Sequence, residues 1–322
     1  MVIVRALVSI VLSAAAFLSP VWAQDYPAQP IRLVVPYPPG GSTDFIARLY
    51  ADKLSKELGQ PIVVDNRPGA STNIGGDAVA KAKPDGYTVL FGGGTPTINS
   101  VFGPQPPFDP LKSLEPISMI ARVPFVVAAN TKAPFANVAE LVSAAKAAPG
   151  RHSISSAQLH LYVELLKSRA DIKLLHIPYR GGAQAAADAI SGQVDAVFAL
   201  VPVLLPHIQS GTLKAVGLSA KKRADVLPNT PTFVESGVDY DIGIWYGLMA
   251  PAGTPPAIVQ RLAKATHAVV GSDEFAKKLG LSGAEAVFSQ PAELAQQMRS
   301  ELLGWQKLSK SVPSLAQALE QR

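Results

Sequence analysis

The chain has no cysteine, so no disulfide can form and no lipid can be carried on an amino-terminal cysteine. Charged residues are scarce at 16%, against 48% apolar, a globular composition that excludes a disordered chain. The basic residues are dispersed, with Lys221-Lys222-Arg223 as the one tight cluster. Nucleic-acid binding wants a basic stripe or face, so no nucleic-acid partner is expected. The apolar run Ala6–Leu18 has thirteen residues, short of the roughly 20 that cross a bilayer. Catalytic signatures are missing too. There is no G-x-S-x-G elbow, no phosphate-binding G-x-x-x-x-G-K-[ST] and no G-x-G-x-x-G after a strand. The five histidines (His152, His160, His176, His207, His267) show no H-x-x-x-H spacing. Each is therefore expected as a lone packed or surface histidine, and no metal site or cofactor is expected. These absences favour binding over catalysis.

What is present begins with an export signal. Residues 1–23, MVIVRALVSIVLSAAAFLSPVWA, run from Arg5 through the apolar stretch to Val21-Trp22-Ala23. That is the charged, apolar, small-residue order of a cleavable signal peptide, with cleavage expected after Ala23. The mature chain is expected to be a soluble periplasmic monomer. The formal charge of +5 falls to +4 when Arg5 is removed (28 basic against 24 acidic residues), a faint bias towards anionic ligands.

The 322 residues are enough for two domains or one large α/β domain, at roughly 100–200 residues each. Strand and helix patterns alternate. IRLVVPY is a β-branched run, and Ile46, Leu49, Tyr50, Leu54 and Leu58 mark a helix over 44–58 that ends at Gly59. PIVVDN, a helix over 73–83 and YTVLFGGG complete a β-α-β-α-β order, which predicts a mostly parallel sheet covered on both faces. The pattern then restarts. ISMIARVPFVVAAN reads as two strands interrupted at Pro124, followed by further strands at 152–155, 173–179, 194–200, 213–219 and 242–251, with helices between several of them. No Gly/Ser/Pro linker divides the chain. The chain is therefore expected to cross between two lobes twice, near 121–124 and 239–244, as a closing cleft requires.

Ligands of open α/β sheets collect beyond the carboxyl ends of the strands. Four loops qualify: 37–44, 92–99, 153–158 and 178–182. The first, YPPGGSTD, carries the clearest chemistry. Gly40 and Gly41 let the backbone approach closely, while Ser42, Thr43 and Asp44 are good caps for the following helix. Free amides at that helix start favour an anion, although Asp44 could occupy them itself, and a plain capped turn is the competing reading. Tyr179 and Arg180 could serve a carboxylate from the second lobe. Trp245 and Tyr246, at the second crossing, read as hinge packing.

Five ordered blocks then resemble one family: YPAQPIRLVVPYPPGGSTD, VVDNRPGASTNIGGDAVAKAKPDGYTVL, IPYRGGAQAAADAISGQVDAVF, LPHIQSGTLKAVGLSAKKRADVLPNTPTFVESG and YGLMAPAGTPPAIVQRL. Together they are similar to the Bug (TctC-like) solute-binding proteins of tripartite tricarboxylate transporters, over nearly all the mature chain. The resemblance implies a non-catalytic, two-lobed α/β fold of the periplasmic binding protein type (Venus flytrap, type II-like), each lobe a mostly parallel sheet flanked by helices. It implies lobe 1 at 24–122 and 244–322, and lobe 2 at 123–243. It places Tyr37, Gly40, Gly41, Ser42, Thr43 and Asp44 on a ligand carboxylate, Gly93 and Thr95 in a second cleft loop, and Ser155, Ser156, Tyr179 and Asp195 on or beside the cleft in lobe 2. The implied partners are a small carboxylate (dicarboxylate, tricarboxylate, amino acid or aromatic acid) and integral-membrane permease subunits. Three departures stand out. SISSAQLHL is shorter than the usual S-x-G-x-G-S-x-x-H-L and lacks its glycines, Ala199 replaces an aspartate, and RPGAST replaces RPGAGG. A sensor presenting its ligand state to a signalling receptor, or an exported enzyme on the same scaffold, remain the alternatives.

Overall fold

The computed structural model describes residues 26–157, 159–179 and 181–311. The expected signal peptide and Arg180 lie outside the described residues. In chain order the elements are β1 (Ile31–Val35), α1 (Ser42–Leu58), β2 (Ile62–Asn66), α2 (Asn73–Ala80), β3 (Thr88–Gly92) and α3 (Thr95–Phe102). Then come β4 (Leu114–Asn130), α4 (Val138–Ala147), β5 (Ser153–Ala157), α5 (His160–Ala170), β6 (Leu175–Tyr179) and α6 (Gly182–Ser191). The chain continues with β7 (Ala196–Leu200), α7 (Val201–Gln209), β8 (Leu213–Leu218), β9 (Gly243–Pro251), α8 (Pro256–Val270), α9 (Asp273–Gly280), β10 (Glu285–Ala286) and α10 (Pro291–Ser311).

Strand pairing makes two lobes around one shared strand. In the first, the order is β2-β1-β3-β9-β4, with β1, β2 and β3 parallel and β9 antiparallel to both β3 and β4. In the second, β4 lies between β8 and β7 and is antiparallel to both, while β7, β5 and β6 are parallel. Four of those five strands thus point one way, and β4 runs against them.

Pro124 does not interrupt β4, contrary to the expectation of two strands. A proline lacks the N–H that a ladder needs, but Pro124 sits where the strand changes sheets. It is paired with Gly243 of β9, and the pairings with β7 and β8 begin at Phe125 and Val126. Phe125 N–H restarts the bonding by donating to Ser219 Oγ at 2.7 Å. Beyond it the apolar run alternates faces. Phe125, Val127 and Ala129 enter one core, while Val126 and Ala128 enter another. The first lobe is also covered on both sides, with Leu33, Val35, Val89 and Phe91 in one core and Val34 and Leu90 in the other.

Helix α1 follows its periodicity. Ile46, Tyr50, Leu54 and Leu58 are buried against β1 and α8, and Gly59 ends the helix in the left-handed conformation. Burial of each such side chain contributes roughly 1.5–3 kcal/mol. Two helices had no periodic signal. Helix α3 starts at Thr95, inside the expected 92–99 loop, and α7 carries Pro202 in its first turn and Pro206 in its interior. Proline density masks α7 because Pro206 forfeits a helical hydrogen bond. Burial of Val201, Leu204 and Leu205 offsets the loss.

Candidate ligand-binding site

A cavity of about 350 Å³ opens between the lobes. Gly40, Gly41, Ser42, Phe45 and Ile46 line it from the first lobe, Pro202 and Val203 from α7 in the second, and Ser282 from the turn after α9. The lobes also touch beside it, since Gly283 packs so closely on Val201 that an added Cβ would sit 2.3 Å from Val201 Cγ1.

The first-lobe wall is built by its backbone. Gly40 has φ of 83°, a conformation that favours glycine. Its N–H donates to Asp44 Oδ2 at 2.9 Å. Asp44 also accepts from Arg48 Nε at 2.8 Å and Asn66 Nδ2 at 2.9 Å, and Asn66 Nδ2 reaches the Tyr37 carbonyl at 3.1 Å. Burial opposes ionisation of Asp44, but the bonds from Arg48, Gly40 and Asn66 outweigh it and lower the carboxyl from 3.8 to about 2. The buried carboxylate is therefore spent on shaping the turn. Gly41 is the N-cap of α1, extended at φ −84° and ψ 173°, and no side chain caps it. The first-turn amides of a seventeen-residue helix thus begin at the cavity wall, where an anion gains from the N–H groups and the dipole.

The other first-lobe candidates support this turn. Thr43 is buried and its Oγ1 lies 2.7 Å from Tyr246 OH on β9. Tyr37 OH is 3.2 Å from Thr95 Oγ1, and its ring meets that of Tyr246 edge-on at 6.2 Å. Burial raises the Tyr37 phenol above its ordinary value. Gly93 serves close packing, because a Cβ there would lie 2.2 Å from the Trp245 carbonyl oxygen. Trp245 and Tyr246 are both buried in cores. Trp245 Nε1 also donates to Glu301 Oε2 at 3.0 Å.

The second-lobe candidates do not gather at the cavity. Ser155 is fully buried and donates to the Ala185 carbonyl at 3.1 Å. Ser156 Oγ is 2.8 Å from His176 Nε2. Tyr179 OH donates to Asp188, a bond that pushes the phenol up to about 12. Asp195 precedes β7, at the end of that strand remote from Leu200, and accepts from Ser153 N and Oγ at 2.8 and 3.0 Å. These hydroxyls and carboxylates are taken up by their own lobe. The wall is made instead by Pro202 and Val203, which the sequence hid because α7 was not legible, and by Ser282, whose only signal was a turn near Gly283.

One further expectation is corrected. His160 and His176 are not lone histidines, since their Nδ1 atoms lie 2.7 Å apart. No H-x-x-x-H spacing reports the pair, because the contact joins a helix to a strand.

The profile of the tripartite tricarboxylate transporter family receptor, TctC, matches residues 46–313. Protein BugT of Bordetella pertussis is 35% identical over 307 residues, covering 93% of this chain and 94% of that protein. The R. palustris protein Rpa4515, solved with adipate, is 34% identical with a TM-score of 0.78, covering 90% of this chain and 99% of that one. MatC from Rhodopseudomonas palustris, solved with bound malate, is 28% identical with a TM-score of 0.73, covering 88% and 99%. Proteins of this family bind solutes in the periplasm and are not enzymes. By profile, sequence and fold, the chain belongs to the tripartite tricarboxylate transporter receptor family.

Proposed function

We propose that the chain is exported by residues 1–23, captures a small carboxylate between its lobes in the periplasm and delivers it to a tripartite permease. The uncapped start of α1 at the wall of the interlobe cavity carries this reading. Its backbone amides would take the carboxylate, with Ser42 adding a hydroxyl. The lobes divide as 24–122 with 244–322, and 123–243, so that β4 and the segment entering β9 form the hinge.

The remaining wall sets the class of solute. Phe45, Ile46, Pro202 and Val203 are apolar, and Phe45 keeps half its surface exposed. In the second lobe α6 begins after Gly181, which is extended and also lacks a side-chain cap. Gly182 is close to Val203, 3.3 Å from an added Cβ to Val203 Cγ1. An uncapped helix start at the apolar wall, with a second beside the wall residue Val203, favours a dicarboxylate with an aliphatic or aromatic body. It disfavours a heavily hydroxylated tricarboxylate. The adipate found on Rpa4515 is a solute of the favoured kind.

Thermal unfolding against a panel of mono-, di- and tricarboxylates, amino acids and aromatic acids tests the proposal. A true ligand raises the melting temperature with concentration, by about 2.7 kcal/mol of stability at a hundredfold excess over Kd. Stabilisation by an apolar-bodied dicarboxylate is expected, and no response to any member of the panel would overturn the reading.

A further inference from the structure

The second lobe carries a group of side chains that solute capture does not use. His160 opens α5, and Glu164 lies one turn later on the same helical face. His176 reaches them from β6. One donor atom from each of the three lies within 4.8 Å of the other two, and all three residues are half-buried. We propose that His160, Glu164 and His176 form a zinc site that ties α5 to β6.

The donor set selects the metal. Two imidazoles and one carboxylate suit zinc, whereas calcium and magnesium take oxygen ligands. The second layer is also in place. Ser156 Oγ is 2.8 Å from His176 Nε2, the kind of bond that fixes the ring of a metal-binding histidine. When Nε2–H donates to that hydroxyl, the Nδ1 lone pair of His176 faces His160. With that tautomer of His176, it is His160 Nδ1–H that donates across the 2.7 Å gap in the metal-free form. Zinc displaces that proton. His160 adopts its other neutral tautomer, with the proton on Nε2, and both Nδ1 lone pairs turn to the metal. Tetrahedral zinc holds two nitrogens about 3.3 Å apart, so the rings need only a small separation.

Glu164 is held ready by Lys167, whose Nζ donates to Oε1 at 2.7 Å. A carboxylate has two oxygens and about four lone-pair sites, so it can keep this partner and bind zinc as well. Three protein ligands leave the fourth position to water or an incoming carboxylate. His160 itself belongs to the segment 153–161, which the metal would tie to β6.

The test uses the tag-free mature chain, stripped with a chelator and dialysed. Zinc is titrated by calorimetry and cobalt(II) by visible absorption. One equivalent of each is expected, with cobalt giving the intense ligand-field bands of a four-coordinate site that zinc then bleaches. Zinc should raise the melting temperature of the wild type. Glu164→Gln, which preserves volume, should weaken zinc at least tenfold, and His160→Ala should abolish site binding, each with a native circular dichroism spectrum. A folded wild-type chain that takes up no zinc at micromolar free metal overturns the proposal. So does either folded variant that binds zinc as tightly as the wild type. If His160→Ala does not fold, the wild-type cobalt spectrum and Glu164→Gln decide.

Discussion

The loop 37–44 in the first lobe and the segment 153–161 in the second are both rich in small polar residues and lead into a helix, but the first follows β1 whereas the second includes β5 itself. They use those residues differently. In the first, Asp44 gathers Gly40, Arg48 and Asn66 and leaves the start of α1 uncapped at the cavity. In the second, Ser155 and Ser156 are bonded within their own lobe, and the cavity wall comes from α7. Small polar residues near the end of a strand therefore mark a grip only where backbone amides are left over. Where the side chains themselves are the donors, the fold has often used them already.

The comparison separates residues that hold the lobes from residues that hold the solute, and substitutions can break it. The largest effect is expected at Gly93, where alanine would drive a Cβ to 2.2 Å from the Trp245 carbonyl oxygen. That oxygen belongs to the backbone and cannot rotate away, so Gly93→Ala should cost about 3 kcal/mol of stability. Denaturant unfolding checks this, and an unchanged midpoint would show that β9 can yield. Asp44→Ala should act on both properties. Leaving the Gly40 amide and Asn66 without their acceptor should cost about 2 kcal/mol, and the distorted turn should weaken carboxylate binding at least tenfold by calorimetry. Ser155→Ala should separate the two lobes most clearly. It removes a buried hydroxyl shared between the Ala185 and Ala196 carbonyls at a cost of about 1 kcal/mol and should leave affinity unchanged. A loss of affinity there would return Ser155 to the site.

A smaller effect concerns pH. The Asp44 carboxyl is lowered from 3.8 to about 2, so the folded state holds its charge more firmly than the unfolded chain. Its contribution is complete above about pH 4 and is lost as pH falls through about 2. Asp44→Asn should flatten stability across that acid window and leave the slope near neutrality unchanged, as read from melting temperatures at each pH.

Much of this was legible in the sequence, and the reasons are local. Helix α1 announced itself through the spacing of Ile46, Tyr50, Leu54 and Leu58, because one amphipathic face is buried. The turn at Gly40 was legible because a left-handed residue calls for glycine. Strand β4 was misread at Pro124, since a missing N–H is harmless only where a strand passes between sheets, and that is a tertiary fact. The Thr43–Tyr246 bond joins residues 203 positions apart, and no local pattern reports it. The same holds for His160 with His176 and for the wall from Pro202 and Val203. The family resemblance alone put Asp195 beside the cleft, yet its strand places it at the remote end beside Ser153.

The uncapped start of α1 can be tested by filling it. Gly41 is the N-cap, extended, and an added Cβ would meet nothing nearer than the Pro38 carbonyl oxygen at 4.0 Å. Gly41→Asp therefore fits, and its carboxylate should bond the amides of the first turn. With Gly41→Ala as the steric control, calorimetric titration with adipate, or with whichever dicarboxylate the panel selects, is the decisive measurement. The expected result is an aspartate variant at least as stable as the wild type whose affinity falls by more than tenfold, while the alanine variant binds nearly as well as the wild type. Wild-type affinity in Gly41→Asp would contradict the assignment of the α1 amides as the carboxylate grip.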